Sequence, residues 1–352
     1  MRTMKAFANL SQGKAGWVEK PIPTPTGFDG VIRPLLVAPC TSDVHNVDIG
    51  CLRPGRILGH EGLGEIVAVG EGVRDFRVGE LVVVPPVTPE WRTVPSQLGA
   101  HQHCSGLITG QKLSNSEDGL LAEYALIRDL DANAARLPQG VSREAAVMAA
   151  DMLNTGLYGA QLADVQPGDT VVVMGVGPVG LMAIAGARLR GAGRIIAIGS
   201  RKAGVELARF YGATDLVNYK EGDVERQVHA LTHKQGADCC ICAGGGPEAL
   251  SQAVAMVRWG GTVGNVNYFT TYGDLPLNNV RFGFGMGNKT IRGGECPGGR
   301  ARMEKLLALL QYGRVDPVPL ITHRFQGLDQ VEAAFRLMAE KPPELVKAVV
   351  SL

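Results

Sequence analysis

The sequence predicts an α/β protein with two domains, a doubly wound parallel sheet and a small β-barrel. At 352 residues the chain is long for a single hydrophobic core, so two domains are expected. Short strands separated by Gly and Pro fill the first part of the chain, a spacing typical of a small barrel. From residue 154 to residue 295 strands and helices alternate, which is typical of a doubly wound parallel sheet.

The predicted barrel strands are apolar runs at 30–37, 64–70 and 80–84. Cys40 follows the first of these strands, and His60 precedes the second. A thiolate and an imidazole are both good ligands for Zn²⁺. Taken alone, however, one Cys and one His are more consistent with a buried small residue and an ordinary core or surface imidazole. The two residues by themselves therefore leave a metal site open.

The stretch 170–184 (TVVVMGVGPVGLMAI) organises the second domain. Its β-branched residues predict a buried strand, and an Ala-rich helical pattern follows. Between them stands the motif G-x-G-x-x-G, formed by Gly175, Val176, Gly177, Pro178, Val179 and Gly180. The three glycines would make the tight turn, let the backbone approach a pyrophosphate, and let the helix pack on the strand. The motif alone is a weak signal, but its place between a strand and a helix predicts a dinucleotide site.

The segment after the second strand of this domain indicates which dinucleotide binds. NAD-selective folds usually place an Asp or Glu there, on the ribose hydroxyls. This chain has Gly199, Ser200 and Arg201 instead. A small residue leaves room for a 2′-phosphate, and a guanidinium can pair with that phosphate through charge-assisted hydrogen bonds. We therefore predict NADP(H); the alternative is that Arg201 is a surface arginine at a helix start.

The composition argues against several classes of function. The formal net charge is +1, so nothing indicates a nucleic-acid or membrane surface. No stretch reaches the ~18 apolar residues of a membrane-spanning helix, and the N-terminal residues lack the apolar core of a signal peptide. The 7 cysteines lack the regular spacing of a disulfide framework. We expect a soluble, cytoplasmic protein with no nucleic-acid or membrane partner.

Two longer segments carry a family resemblance. The segments 59–70 (GHEGLGEIVAVG) and 76–82 (FRVGELV) resemble the signature of the zinc-containing medium-chain alcohol dehydrogenases. The resemblance extends over essentially the whole chain and, within the family, points to the NADP-dependent secondary-alcohol (isopropanol) dehydrogenases. It implies a GroES-like β-barrel catalytic domain of residues 1–153 and 296–352, with a Rossmann NADP-binding domain of residues 154–295 inserted in it.

The resemblance also implies a catalytic zinc site. Carried over residue by residue, its ligands are Cys40, His60 and Asp151, with Glu61 beside the metal as a fourth or transient ligand. Three protein ligands leave one position of a tetrahedral ion open for the substrate, as a catalytic site requires. The metal would then polarise the substrate oxygen.

The implied activity is zinc-dependent transfer of a hydride between NADP(H) and a secondary alcohol or ketone, with aldehydes as further substrates. Ser42 matches the family hydroxyl that contacts the substrate oxygen, and His45 matches the histidine that passes the proton to solvent. Tyr219 matches a residue at the 2′-phosphate end of the cofactor. The alternatives are a zinc-free quinone or enone reductase of the same superfamily and a non-catalytic NADPH-binding protein. The intact set of metal ligands and the proton relay count against both.

Many relatives carry a second, structural zinc in a loop with four closely spaced cysteines. The corresponding segment here, 88–105, has only Cys104, and His101 and His103 beside it cannot easily complete a tetrahedral cage. We therefore predict one catalytic zinc per chain and no structural zinc. The resemblance also implies a homotetramer, in which the segment 282–286 contributes to a neighbour's substrate pocket.

The substrate pocket is where the chain departs from these relatives. Gln111 stands where they have a tryptophan, and Glu295 stands where they have an apolar residue, while Pro86 and Val87 occupy another pocket stretch. A buried carboxylate needs a polar or cationic partner. If Gln111 and Glu295 face the substrate, we expect a bulkier or more polar substrate than a simple alkanol. The alternative is that both side chains point to solvent or to each other.

Overall fold

The structure is a computed structural model, and it describes nearly all of the chain, namely residues 2–269, 274–275, 277–283 and 286–352. The chain divides into two compact units. The first unit combines Met1–Asp151 with Pro297–Leu352, and the second is Met152–Cys296. Each unit has an apolar core of its own.

The first part of the chain is built mainly from strands, as its spacing of Gly and Pro predicts. In chain order the strands are β1 Thr3–Ser11, β2 Lys14–Pro21, β3 Gly30–Val37, β4 Gly62–Val69, β5 Leu81–Val84, β6 Ala125–Ile127 and β7 Ala135–Arg136. The helices among them are α1 Thr41–Ile49, α2 Val94–Gln97, α3 Leu130–Asn133 and α4 Arg143–Met148, with a 3₁₀ turn at His101–His103 and a π-helix at Ala149–Leu153. Helix α1 ends at Gly50, whose left-handed conformation (φ 73°) is typical of a helix C-terminus.

Strands and helices alternate in the next part of the chain, as predicted. The strands are β8 Thr170–Met174, β9 Arg194–Ile198, β10 Asp215–Val217, β11 Ala237–Cys242, β12 Val257–Asn265 and β13 Thr290–Gly293. The helices are α5 Asn154–Leu162, α6 Pro178–Leu189, α7 Lys202–Tyr211, α8 Val224–Leu231, α9 Ala249–Met256 and α10 Asn279–Phe282.

The last part of the chain belongs to the first unit again. It consists of α11 Arg300–Gln311, β14 Ile321–Gln326, α12 Val331–Glu340 and β15 Lys347–Ser351, with 3₁₀ turns at Val318–Leu320 and Leu328–Gln330. Strand β15 therefore brings the C-terminal residues into the same unit as the first strands.

The larger sheet of the first unit gathers chain segments that are far apart in sequence. Its order is β14-β15-β3-β4-β5-β7, with β6 paired to β3, while β1 and β2 form a separate antiparallel pair. Strands β3 and β4 are antiparallel with Val37 opposite Gly62, so the residue after β3 and the residue before β4 meet at one end of the sheet. Strand β15 pairs with β3 from the other side, with Val350 opposite Val37. Cys40, His60 and Lys347 lie near this end.

The second unit is a doubly wound sheet. Its six strands are all parallel, in the order β10-β9-β8-β11-β12-β13. The strand order reverses beside β8, and ligands of such sheets bind at the carboxyl end of the strands at this switch point. Cys239, Cys240 and Cys242 are buried in β11. Among the described residues, no helix combines the length and the apolar character needed to span a membrane.

Candidate functional site

Four side chains of the first unit that can bind a metal ion converge at one place. They are Cys40, His60, Glu61 and Asp151, and one ligand atom from each lies within 4.8 Å of the others. Cys40 precedes helix α1 as its N-cap, His60 and Glu61 precede strand β4, and Asp151 lies in the π-helix. A π-helical turn is rare and is frequently found at functional sites. The structure thus brings together all four residues of the predicted zinc site.

The distances within this cluster suit a small cation. His60 Nε2 lies 3.7 Å from Asp151 Oδ2 and 3.9 Å from Glu61 Oε1. Two ligand atoms bound about 2.1 Å from a tetrahedral ion lie roughly 3.4 Å apart, close to these values. Glu61 Oε2 is buried and makes no hydrogen bond, so it lacks the partner that a buried oxygen normally has. A thiolate, an imidazole and carboxylates together fit Zn²⁺.

The electrostatics of the cluster favour the metal-binding form of the thiol. Burial alone would raise the pKa of Cys40, but the positive charge of Lys347 and a hydrogen bond with His60 outweigh it and lower that pKa to about 7. Burial opposes charge on the imidazole too, but the carboxylates of Asp43 and Asp151 raise the pKa of His60 well above its usual value. Without a cation His60 therefore holds a proton, and metal binding must displace it.

Lys347 adds a positive charge to this cluster, although no sequence motif points to it. Its side chain is 0% exposed, and Nζ donates to Glu61 Oε1 at 2.6 Å. Burial alone would lower the pKa of Lys347, but the negative charges of Cys40, Glu61 and Asp151 raise it above its usual value. The sequence did offer one signal, a lysine inside the apolar run 345–350 (LVKAVV). A lysine is almost never fully buried unless it is paired, so a lysine in a buried strand indicates an ion pair.

Asp43 is the second residue of the site that the motifs did not identify. Its buried Oδ1 accepts hydrogen bonds from His60 Nδ1 (3.2 Å), from the Gly59 N–H (3.3 Å) and from the Ser114 hydroxyl. A carboxylate on Nδ1 fixes the orientation of the ring and leaves Nε2 to face the cluster. The available signal in the sequence was the position of Asp43 three residues after Cys40.

Ser42 and His45 both lie on helix α1, about one turn apart. Ser42 Oγ is 3.3 Å from His60 Nε2, so the hydroxyl reaches the ligand cluster. His45 is half-buried, and both its burial and the positive charge of Lys341 lower the pKa of His45. The imidazole is therefore neutral near pH 7 and able to accept a proton.

In the second unit, strand β8 leads into the glycine-rich turn that starts helix α6. Gly175 has φ 97°, a left-handed conformation that favours glycine. A Cβ at Gly180 would lie 1.9 Å from the carbonyl oxygen of Gly175, so the helix and the turn pack closely. Gly177 is the N-cap of α6 and Pro178 is its first residue. The free N–H groups of this helix start can bind an anion.

The residues after β9 lie against the same turn. A Cβ at Gly199 would come within 2.1 Å of Val176 Cγ2, so a larger residue here would have to displace that valine. Arg201 is the N-cap of α7, and its Nη2 lies 3.7 Å from the place that a Cβ of Gly177 would occupy. The guanidinium therefore lies beside the glycine-rich turn instead of extending away from it.

Ser200 and Tyr219 follow the neighbouring strands β9 and β10. Because these strands are parallel, the residues that follow them lie along one edge of the sheet. Ser200 Oγ is buried and makes no hydrogen bond, and Tyr219 is 53% exposed. A buried hydroxyl without a partner is typical of a site whose ligand supplies the partner.

Two family models match the chain. One described as "Alcohol dehydrogenase GroES-like domain" matches residues 29–139, and one described as "Zinc-binding dehydrogenase" matches residues 178–312. The NADP-dependent isopropanol dehydrogenases of Thermoanaerobacter brockii and Clostridium beijerinckii are 54% and 52% identical to the chain over 351 residues, which are 99% of this chain and 100% of each relative. This chain belongs to the zinc-containing medium-chain alcohol dehydrogenases.

A solved structure supports the same family fold. Alcohol dehydrogenase TADH from Thermus sp. ATN1 has a TM-score of 0.85 and 30% identity, and the match covers 99% of both chains. The fold class predicted for this alcohol dehydrogenase, a GroES-like β-barrel domain with a doubly wound Rossmann domain, is confirmed by these matches.

In this alcohol dehydrogenase the histidines of segment 88–105 are engaged in hydrogen bonds. His101 Nε2 accepts from the Gly298 N–H at 3.1 Å, and His103 Nδ1 accepts from the Ile108 N–H at 3.0 Å. The other nitrogen of a neutral imidazole carries the proton. Neither ring in its neutral form therefore has a lone pair left for a second metal ion.

The four predicted pocket residues of this alcohol dehydrogenase differ in their exposure. Pro86 and Val87 follow β5 and are buried, and the Val87 carbonyl accepts a hydrogen bond from the Gly299 N–H at 3.2 Å. Gln111 is half-buried in the first unit, and Glu295 is half-buried after β13 in the second. The Val87 side chain thus belongs to the core, whereas Gln111 and Glu295 remain in part accessible.

Replacing Asp43 by asparagine should weaken zinc binding by about 10- to 100-fold, the usual cost of losing a carboxylate that orients a ligand histidine. The amide keeps the size of the side chain but holds the Nδ1–H of His60 less firmly. Competition with a chromogenic chelator, which measures the zinc dissociation constant, tests this expectation.

Ser114→Ala is the matched control, because it removes one hydrogen bond to Asp43 and leaves the carboxylate on His60. We expect this variant to bind zinc within a few-fold of the wild type. Zinc binding by Asp43→Asn that equals the wild type would show that the carboxylate does not support the ligand.

Proposed function

We propose that this alcohol dehydrogenase catalyses zinc-dependent transfer of a hydride between NADP(H) and secondary alcohols or ketones. One observation carries the proposal: the cluster of Cys40, His60, Glu61 and Asp151 occurs in a chain that is 54% identical to an NADP-dependent isopropanol dehydrogenase. The unit Met1–Asp151 with Pro297–Leu352 would be the catalytic domain, and Met152–Cys296 would be the nucleotide-binding domain.

The zinc ion would be held by Cys40, His60 and Asp151, with Glu61 beside it. Bound there, zinc supplies a Lewis acid that acts on the substrate oxygen. Asp43 keeps His60 Nε2 directed at the cluster through its hydrogen bond to Nδ1. The reaction also requires residues that move a proton between the substrate hydroxyl and solvent.

Ser42 and His45 would form that proton path. During alcohol oxidation Ser42 Oγ, 3.3 Å from His60 Nε2, is placed to accept the proton of the substrate hydroxyl. His45 lies one turn further along α1 and is partly exposed, so it is placed to exchange that proton with solvent. The lowered pKa of His45 keeps the imidazole in the neutral form that accepts the proton.

NADP(H), which gives or takes the hydride, would bind along the carboxyl edge of the parallel sheet. The turn 175–180 presents the N-terminal N–H groups of α6 to the pyrophosphate. Gly199, Ser200, Arg201 and Tyr219 would surround the 2′-phosphate, with the guanidinium as its charge partner.

We propose one zinc ion per chain, because the hydrogen bonds of His101 and His103 leave segment 88–105 without a second set of ligands. A homotetramer and a cytoplasmic location stay predictions. The segment 282–286, which the resemblance assigns to a neighbour's pocket, lies partly outside the described residues, since 284–285 are not among them.

NADPH oxidation with a panel of ketones and aldehydes, measured with and without a chelator and beside a zinc analysis, tests the proposed function. We expect about one zinc per chain and ketone reduction that chelation abolishes. Metal-free protein that reduces enones would indicate the zinc-free reductase, and NADPH binding without turnover would indicate a non-catalytic protein. Either result would refute the proposal.

We also propose that Gln111 and Glu295 favour a polar ketone over a plain one. Glu295 is half-buried, and a carboxylate that faces the substrate is better matched by a hydroxyl or ammonium group than by an alkyl chain. The wild type should prefer hydroxy- and aminoketones to 2-butanone by about tenfold in kcat/KM, and Gln111→Trp and Glu295→Leu should each shift the ratio toward 2-butanone by a similar factor.

Gln97→Trp serves as the control for the added indole, because Gln97 is exposed on helix α2. It should leave the ratio unchanged. A wild type that prefers 2-butanone, together with an unchanged ratio in both pocket variants, would place Gln111 and Glu295 outside the substrate pocket.

A further inference from the structure

A small cavity in the first unit is lined by charged side chains that belong neither to the zinc cluster nor to the glycine-rich turn. Its volume is about 250 Å³. That is less than the roughly 300–1,000 Å³ of pockets that hold drug-sized ligands, so the cavity suits a small ligand. The charged side chains that line it are Arg53, Arg56, Glu117, Asp118 and Arg128.

The two carboxylates of the cavity already have cationic partners. Asp118 Oδ1 accepts a hydrogen bond from Arg56 Nη1 at 3.2 Å, and Asp118 Oδ2 accepts one from Lys20 Nζ. Glu117 Oε1 lies 3.8 Å from Arg128 Nε. Asp118 is therefore shared by two cations, and neither carboxylate is left to attract a further cation into the cavity.

Two arginines of the cavity, in contrast, keep donor groups without an acceptor. Arg53 is exposed, and its guanidinium makes no ion pair or hydrogen bond with any described residue. Arg56 is only 4% exposed, and its Nε is buried without a hydrogen bond. Because Asp118 uses Nη1, the edge formed by Nε and Nη2 has no acceptor in the part of the chain that the structure describes. Such an edge binds two oxygens of a carboxylate or a phosphate at once.

The two guanidinium groups also repel each other. Burial and the positive charge of Arg53 lower the pKa of Arg56, although the carboxylate of Asp118 acts in the opposite direction. Ser116 and Tyr124 line the same cavity, and their hydroxyls have no partner among the residues described. A ligand that carries negative charge and several acceptor oxygens would relieve the repulsion and satisfy these donors.

We propose that this cavity is a binding site for a small tetrahedral oxyanion of the phosphate class, held by Arg53 and by the free edge of Arg56. Two guanidinium groups and two hydroxyls offer more donors than the two oxygens of a carboxylate require, so four oxygens are the better match. The site lies in the first unit and is distinct from the proposed cofactor site in the second.

Binding in this cavity would also stabilise the segment that leads to His60. Arg56 stands four residues before His60. The next residue, Ile57, donates its N–H to Asp118 Oδ1 at 3.2 Å and accepts from the Gly119 N–H at 2.9 Å. A ligand that binds the folded state and not the unfolded chain raises the melting temperature as its concentration rises.

The test is the melting temperature of the protein in increasing inorganic phosphate, with sodium chloride added to keep the ionic strength constant. The wild type should melt at higher temperature as phosphate rises, and the curve gives a Kd. Arg53→Met should raise this Kd at least about tenfold, because a charged donor is lost. Arg143→Met is the matched control, since Arg143 is an exposed arginine of the same unit outside the cavity. It should leave the Kd unchanged.

Arg56→Lys tests the edge of the buried guanidinium. The lysine keeps a positive charge beside Asp118, so the carboxylate is not left unpaired, but it cannot offer two parallel N–H groups. We expect the Kd for phosphate to rise by about tenfold in this variant as well.

Phosphate can also bind at the start of helix α6, so the titration is repeated in Arg201→Ala. Arg53→Met should weaken phosphate binding by the same factor in this background, because Arg53 belongs to the other unit. Titration with glycerol 3-phosphate separates the two sources of the ligand. An ester that binds more tightly than phosphate would indicate a phosphorylated molecule, and one that binds less tightly would indicate the free ion.

A melting temperature that phosphate and sodium chloride change equally overturns the inference, because the donors of the cavity are then satisfied by solvent. So does Arg53→Met with the wild-type Kd. Acetate that stabilises the protein as strongly as phosphate would refute the choice of a tetrahedral oxyanion. None of these results bears on the proposed function, which is tested by zinc content and ketone reduction.

Discussion

Replacing His60 by alanine should remove the bound zinc and reduce NADPH-dependent ketone reduction on the order of 10³-fold. His60 supplies the only imidazole of the ligand cluster, and its Nε2 lies within 4 Å of both Glu61 and Asp151. Without the ring, the buried carboxylates and the Cys40 thiolate lose their common neighbour. The fold should persist, because each unit has its own apolar core. Zinc content by elemental analysis and kcat/KM for a ketone measure the two effects.

The matched control for this variant is His229→Ala. His229 is half-buried on helix α8 in the other unit, where its Nε2 contacts the Ala255 carbonyl oxygen at 3.0 Å. We expect wild-type zinc content and activity within a few-fold. Full activity and unchanged zinc content in His60→Ala would show that this cluster is not the catalytic metal site, whatever the result for the control.

The resemblance supplied all four residues of the candidate zinc site, and the local sequence placed three of them near one another. Cys40 follows one predicted strand, His60 and Glu61 precede the next, and antiparallel β3 and β4 bring these residues to one end of the sheet. Asp151 lies next to neither strand, so only the resemblance identified it. Its place in a π-helix depends on tertiary packing, which a local sequence pattern does not encode.

The partner of Lys347 could not be predicted, because its ion pair with Glu61 joins residues that are far apart in the chain. The run 345–350 indicates a strand, and the strand is present as β15. A strand pattern says which face is buried but not which carboxylate lies opposite a lysine on that face. The pairing of β15 with β3, which brings Lys347 to Glu61, is set by the register of the folded sheet.

The parallel sheet was predicted more closely than the first unit. Strand β9 illustrates why, because Arg194–Ile198 is a short and mostly apolar run between Gly193 and Gly199. Helix α1 was not predicted, since its residues (TSDVHNVDI) show no apolar stripe. Gly50 was the one local signal of its end.

Replacing Gly199 by aspartate should reduce the preference for NADPH over NADH by roughly 100-fold. A carboxylate at this position would face the 2′-phosphate, and two like charges about 5 Å apart repel by about 3 kcal/mol at an effective dielectric constant of about 20. Each 1.4 kcal/mol is about a factor of ten in affinity. The ratio of kcat/KM for NADPH to that for NADH is the measurement, because the two cofactors differ only in the 2′-phosphate.

The structure adds a steric effect at Gly199, which an argument from charge alone would attribute to repulsion of the phosphate. Any Cβ at Gly199 would meet Val176 Cγ2 at 2.1 Å, so Gly199→Ala must move that valine and should weaken both cofactors equally. The alanine variant thus measures the packing cost, and the change in the NADPH to NADH ratio between alanine and aspartate isolates the charge. An aspartate variant with the same ratio as the alanine variant would show that no phosphate lies beside Gly199.

Arg201→Ala tests the attraction between the Arg201 guanidinium and the 2′-phosphate. Loss of charge-assisted hydrogen bonds worth about 1.5–3 kcal/mol should lower the NADPH to NADH ratio by about 10- to 100-fold. Arg209→Ala, which removes an exposed arginine from the last turn of the same helix α7, should leave the ratio unchanged. If the wild type prefers NADH, or if both arginine variants lower the ratio equally, the guanidinium beside Gly177 is not the partner of a 2′-phosphate.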